Sequence, residues 1–127
     1  MTDTHALTEL QLAILHVLWE CGEATTQEVH GAMVESRGLA ITTVATLLSR
    51  LEKRGVLSHR KEGRQYVYRA LVTENEVRHS KVRELMTNLF EGDPSALVRH
   101  LIRTHEVDRD ELERLVSMVE SAADPDS

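Results

Sequence analysis

The sequence predicts a mainly α fold with one small β-hairpin, and three observations carry that prediction. Apolar residues recur at three- and four-residue spacing through most of the chain, which is the period of a helix with one buried face. One stretch, residues 56–69, changes to a period of two, which is the period of a strand. Four segments open with one signature: Thr8…Gln11, Thr25…Glu28, Thr73…Glu76 and Asp108…Glu111. In each, the first side chain can accept from an orphan backbone N–H of the first turn while the fourth reaches back to the cap.

The first helix is expected over about Thr8 to Glu20. Leu10, Ala13, Ile14, Val17, Leu18 and Cys21 form one stripe, and Leu12, Leu15 and Trp19 form a second, so this helix should be buried on two sides. Cys21 reads as a buried small hydrophobe rather than a reactive thiol, and Gly22 is the expected stop. A second helix covers about Thr26 to Ser36, with Val29, Ala32 and Met33 inward, and ends at Arg37-Gly38. A third covers about Ile41 to Arg54, with Ile41, Val44, Leu47, Leu48 and Leu51 toward the core. Its other face carries Thr42, Ala45, Thr46, Ser49, Arg50 and Lys53, small hydroxyls and bases without an acid among them.

Gly55 stops the third helix. Two strands follow, residues 56–61 and 64–69, joined by Glu62-Gly63, where glycine suits the positive φ of a two-residue turn. The chain then returns to helix. Residues 74–91 carry the stripe Val82, Leu85, Met86, Leu89 and Phe90, and Gly92 ends it. Asp93-Pro94 is a cap followed by proline at the first helical position, opening a helix to about Thr104 with Leu97, Val98, Leu101 and Ile102 inward. Residues 109–121 form the last helix, with Leu112, Leu115, Val116 and Val119 inward.

Three helices followed by a basic hairpin is the order of a winged helix-turn-helix, expected here over residues 1–72. The remaining helices, residues 73–121, are too short a segment to close a core alone, so they predict a three-helix dimerisation region in which two chains share one core. Its interface would be built from the thirteen apolar residues of the last three helical stripes, Val82 through Val119. Residues 122–127 lack any pattern and are expected to form a disordered tail.

The net charge of -6 taken as a sum speaks against a polyanion as partner, but its distribution does not. Residues 1–49 hold one base, Arg37, against six acids, a net of -5. Residues 50–69 hold seven bases against Glu52 and Glu62, a net of +5. Residues 73–127 hold seven bases against thirteen acids, a net of -6. A basic stripe between two acidic regions, located at the end of the third helix and on the hairpin, is the footprint of a nucleic-acid-binding surface. The major groove of DNA is about 12 Å wide and admits one helix that shows it short polar side chains. Thr42, Thr43, Ala45 and Thr46 are the expected base-facing residues. Ser49, Arg50, Lys53, Arg60, Lys61 and Arg64 are the expected phosphate contacts, which orient without reading sequence. A winged-helix module that binds protein is the alternative; it should show large apolar side chains on that outer face, and this face shows Thr, Ala, Ser, Arg and Lys.

Other chemistry is not expected. The chain has no Gly-rich phosphate loop and neither a His-Glu-X-X-His nor a Gly-X-Ser-X-Gly motif, so no catalytic residue is proposed. His100 and His105 lie five residues apart, about 140° around a helix, and the sequence offers no set of metal ligands or cofactor site. A single cysteine excludes an internal disulfide and fits a reduced, cytoplasmic setting. No secretory signal and no membrane insertion are expected.

The chain resembles the BlaI/MecI (penicillinase repressor) family, related to CopY-type repressors. The likeness rests on Leu7-Thr8-Glu9-Leu10…Ile14-Leu15…Leu18-Trp19, on Thr42 through Gly55 followed by the wing, and on Leu89-Phe90-Glu91-Gly92-Asp93 with Ser95-Ala96-Leu97-Val98. It covers about residues 7 to 120. The resemblance implies a homodimeric repressor of a palindromic operator in double-stranded DNA, controlling β-lactamase or other stress-response genes. It also implies a membrane receptor–protease system that cleaves the repressor in its C-terminal region. Thr46 matches the family pattern, whereas Thr42 and Ala45 stand where staphylococcal members carry bases, so the operator should differ. The family's Asn-Phe cleavage pair corresponds to His100-Leu101 here. The paired Cys-X-Cys motifs of CopY-type members are absent, which excludes copper sensing by that route.

Overall fold

The computed structural model describes residues 7–122, apart from the side chains of Glu35 and Ser36. Its elements are α1 (Glu9–Cys21), β1 (Ala24–Thr25), α2 (Thr26–Arg37), α3 (Ile41–Lys53), β2 (Leu57–Glu62), β3 (Gln65–Ala70), α4 (Glu74–Phe90), α5 (Pro94–Arg103) and α6 (Arg109–Ala122). The expected tail at 122–127 lies outside the described residues except for Ala122, which closes α6. These residues fall into two compact units, one ending at Glu84 and the other beginning at Leu85.

All four caps form, three of them as the full reciprocal pair that the spacing predicts. Thr8 accepts from the Gln11 N–H at 3.1 Å and Gln11 Oε1 accepts from the Thr8 N–H at 3.0 Å. Thr25 with Glu28 and Thr73 with Glu76 make the same reciprocal pair. Asp108 accepts from the Glu111 N–H at 2.8 Å. Each cap satisfies donors that a helix start otherwise leaves unpaired. Gln11 is buried, and its Oε1 also accepts from Arg54 Nη1 at 3.2 Å, so one capping side chain ties α1 to the residue that ends α3.

In the first unit, α1, α2 and α3 pack on one another and α1 and α3 pack on the sheet. Ile14, Leu15, Leu18, Val29, Val44, Leu48, Leu51, Val56 and Leu57 are fully or almost fully buried. Each large side chain of this set contributes about 1.5–3 kcal/mol by leaving water. The second stripe of α1, with Leu12 and Trp19, packs partly buried against the same core. The first part of α4, as far as Glu84, belongs here too: Val77 is buried and Lys81 Nζ donates to the Leu7 carbonyl at 2.9 Å.

Four expectations need correction. Cys21 is exposed, because α1 ends there and Gly22, at φ 84, turns the chain toward β1. Ile41 is also exposed and Leu47 only half-buried, since the core-facing row of α3 runs through Val44, Leu48 and Leu51. On α2 the buried row is Val29 and Met33, one turn apart; Ala32, about 100° away from Met33, is exposed. The hairpin turn is Gly63-Arg64, with Glu62 paired to Gln65, so the strands run one residue later than the sequence suggested. Gly63 has φ 65 and Arg64 is not in the positive region, the arrangement of a type II′ turn with glycine at its first central position.

The sheet also has a strand that the sequence did not announce. Its order is β1-β3-β2, all antiparallel, with Thr25 opposite Val67 and Val67 opposite Arg60. Two residues are too few to show a period.

The second unit contains the end of α4, α5 and α6. Asp93 accepts from the Ser95 N–H at 2.9 Å ahead of Pro94 and so caps α5. Two helix ends close by wide turns, Gly92 N–H to Met86 O, six positions back, at 2.8 Å and Glu106 N–H to Leu101 O, five positions back, at 3.0 Å. None of residues 85–122 is buried.

Candidate nucleic-acid interface

The helix α3 presents Thr42, Thr43, Ala45, Thr46, Ser49, Arg50 and Lys53 to solvent, every one exposed. At about 100° per residue they span an arc of roughly 160°. Val44, Leu48 and Leu51 anchor the opposite side in the core, so the outer face is held rigidly. Thr46 Oγ1 donates to the Thr42 carbonyl at 3.0 Å. The hydroxyl proton is therefore used within the helix, which leaves an acceptor and a methyl group facing outward. Thr42, Thr43, Thr46, Leu47 and Arg50 line a shallow hollow of about 230 Å³. Arg50 and Lys53 lie in the last turn, where a cation also complements the helix dipole. The N-cap of α3 is Ala40, which makes no side-chain cap.

The hairpin is braced against this helix. His59 bonds Glu52 of α3 and stacks on Tyr66 across the hairpin, with ring centroids 4.2 Å apart. Tyr68 lies beside them, its centroid 5.6 Å from that of His59. Burial, followed by the charge of Glu52 and the neighbouring Tyr66, pushes the Tyr68 phenol up from its ordinary value. Lys61 lies on the same face as His59, with its Nζ 5.7 Å from the Tyr66 centroid. Lys61 and Arg64 border a hollow of about 350 Å³ that also takes in Tyr66, Gln65 and the start of α2 at Thr25, Thr26 and Gln27. Gln27 was not legible as a neighbour of those cations, because only the β1–β3 pairing brings the start of α2 to the wing; Gln65 and Tyr66 stand beside them through the hairpin itself, with Tyr66 opposite Lys61.

Arg60 is placed differently from its two neighbours in the expected phosphate set. Successive strand residues point to opposite faces. Arg60 Nη2 and Nε reach Glu23 at 2.7 Å and 3.4 Å, and Nη1 reaches Glu62 at 2.9 Å. The Arg60 hydrogen bond holds the Glu23 carboxyl below the usual carboxylate range.

The remaining expected residues fall in the second unit or at its edge. Leu85, Leu89, Val98, Ile102, Leu115, Val116 and Val119 are exposed in the single chain, as is Val82. Met86, Phe90, Leu97, Leu101 and Leu112 are half-buried. His100-Leu101 lies inside α5, and the His100 ring is 5.6 Å from that of Phe90. Among the described residues, no group of three or more His, Cys, Asp or Glu side chains is placed to hold a metal ion, and no helix is long and apolar enough to cross a membrane.

A three-helix core with a braced antiparallel wing, and a polar helix face beside it, defines a winged-helix DNA-binding protein. Residues 7–121 match the sequence model of the family described as penicillinase repressor, and the chain belongs to that family. It is a family of transcriptional repressors, not of enzymes. The penicillinase repressor of Bacillus licheniformis is 25% identical over 114 residues, which cover 90% of this chain and 89% of that one. The solution structure of the DNA-binding domain of the repressor BlaI is 30% identical, with a TM-score of 0.54, over 60% of this chain and 93% of that one. The B. licheniformis BlaI monomeric form in complex with the blaP half-operator is likewise 30% identical, with a TM-score of 0.51, and the match covers the same shares of the two chains.

Proposed function

We propose that this chain represses transcription by binding a palindromic operator as a homodimer, with one α3 in the major groove of each half-site. The exposed polar face of α3 carries this reading. A surface of Thr, Ala, Ser, Arg and Lys offers donors, acceptors and methyl groups to base edges, with no large apolar or acidic side chain among them. Thr42, Thr43, Ala45 and Thr46 face the bases; Ser49, Arg50, Lys53, Lys61 and Arg64 face phosphates. The half-operator complex of BlaI supports the same use of the fold. Membership in a family of DNA-binding repressors supports a cytoplasmic setting.

The helical arm supports dimerisation. Residues 85–122, none of them buried, leave their apolar stripes in water unless another surface covers them. A second copy covers them symmetrically and sets two recognition helices about one helical turn of DNA apart, or a small multiple of it. Residues 1–72 then form the reading head, the start of α4 docks on it, and the rest of the arm joins the two chains. Induction through a receptor–protease system would require α5 to open, since His100-Leu101 is a helical peptide bond and a protease binds an extended segment.

A genome-wide footprint followed by binding titrations tests the proposal. Footprints should share one palindrome. If a dimer neutralises about eight phosphates, the log–log salt slope should be near -7. Binding that ignores salt, or footprints without a common sequence, would overturn it.

A further inference from the structure

We infer that Arg60 is a positioning residue that straps the wing to the beginning of the sheet through Glu23, leaving the wing's phosphate contacts to Lys61 and Arg64. This rests on the DNA-binding function proposed above. The sheet explains how the strap is built. Thr25 of β1, Val67 of β3 and Arg60 of β2 stand in one row across the three strands. Glu23 immediately precedes β1, in the bend after α1, at the edge of the sheet away from β2. Arg60 therefore crosses the width of the sheet to reach it. All three guanidinium nitrogens are engaged: Nη2 and Nε fork onto Glu23, and Nη1 meets Glu62. A planar fork matched to a carboxylate holds direction as well as charge.

Charge argues the same way. Arg60 and Arg69, whose charge also acts on Glu23, stand against Glu23, Glu62 and Glu28, a net of -1. That face of the wing offers a phosphate no net positive charge. The opposite face carries Lys61, and Arg64 sits in the turn, with no carboxylate bonded to either among the described contacts. Its neighbour His59 grips Glu52 from the other side of the strand, so two successive residues clamp β2 to two different parts of the domain. Lys61 and Arg64 are thereby presented at a set angle to α3.

The test uses the full chain and its operator. Arg64→Gln should lower the steepness of the salt slope by about one contact per protomer. Arg60→Gln should leave the slope unchanged while weakening binding about two- to fivefold, the range expected of an exposed ion pair. Glu23→Gln should weaken binding equally, and the double variant no further. In an E62Q background, R60E should bind poorly and R60E with E23R should recover. A flatter slope in R60Q, tighter binding in E23Q, or no recovery in the charge swap would overturn the strap. NMR titration of Glu23 in the free protein decides the pairing independently of DNA: its midpoint should rise in R60Q, and an unmoved midpoint counts against the strap. A wild-type chain that binds no operator would instead refute the proposed function, and the Glu23 titration would still judge the strap.

Discussion

The indole Nε1–H of Trp19 donates to the carbonyl oxygen of Val72 at 2.9 Å, joining the last turns of α1 to the segment that leaves the wing. Val72 is buried, so its carbonyl has lost water and depends on this donor. Trp19→Phe keeps an aromatic ring and removes the donor. We expect a loss of about 1–3 kcal/mol, the range for an orphaned buried acceptor. Urea unfolding should show a lower midpoint at unchanged m. An unchanged midpoint would mean that the bond adds nothing.

Base reading and backbone contact should separate by mutation. Thr46→Ala removes the outward acceptor and methyl, and should change preference at one base pair by about 1–3 kcal/mol. Arg64→Ala should weaken all sequences alike. Competition binding against single-base operator variants distinguishes the two patterns; a uniform loss in Thr46→Ala would remove α3 residue 46 from the reading face.

Leu89 is 71% exposed in the single chain, so replacing it disturbs little within one protomer. Leu89→Asp should leave the winged unit folded yet place a charge in the shared core, which two chains would bury at prohibitive cost. Sedimentation should find monomers. Dimers of unchanged affinity would show that the interface lies elsewhere.

Among the described residues, two that are not glycine end helices in the left-handed region, Glu91 at φ 53 and His105 at φ 62. A Cβ is disfavoured there by roughly 1 kcal/mol. His105→Gly should therefore raise stability by up to about 1 kcal/mol, and Gly63→Ala, at φ 65 with open space around its missing Cβ, should lower it through the backbone alone. Thermal unfolding reads both signs.

Arg37 and Arg60 hydrogen-bond Glu9 and Glu23 and hold both carboxyls below their ordinary value of 4.5. A depressed folded value means that the stabilisation is present above that ordinary value and is lost as pH falls through the lowered one. Acid unfolding curves of Arg37→Gln and Arg60→Gln should converge on wild type at the acid end and lie below it near neutrality. A constant offset across the whole range would exclude the ion pairs as the source.

Most of the fold was legible because its signals are local. Reciprocal caps at Thr8, Thr25 and Thr73 and the 3.6-residue stripes of α1 and α3 depend on neighbours within one or two turns. The exposed face of α3 followed from the same period. β1 was not legible, since two residues form a strand only because β3 lies beside them. The hairpin shifted by one residue because Glu62-Gly63 and Gly63-Arg64 both place glycine in a two-residue turn, and only the pairing of Glu62 with Gln65 decides between them.

By itself the sequence determined a winged helix with a polar reading face, a basic stripe hidden within an acidic chain, and an apolar arm in need of a cover. Tertiary structure decided which cations of that stripe have a carboxylate placed against them. Arg60 and Lys61 are adjacent and carry the same charge. A strand sends them to opposite faces, one toward Glu23 across the sheet and the other toward Tyr66 and the start of α2. Charge is a property of composition, but its availability depends on what the fold places opposite it.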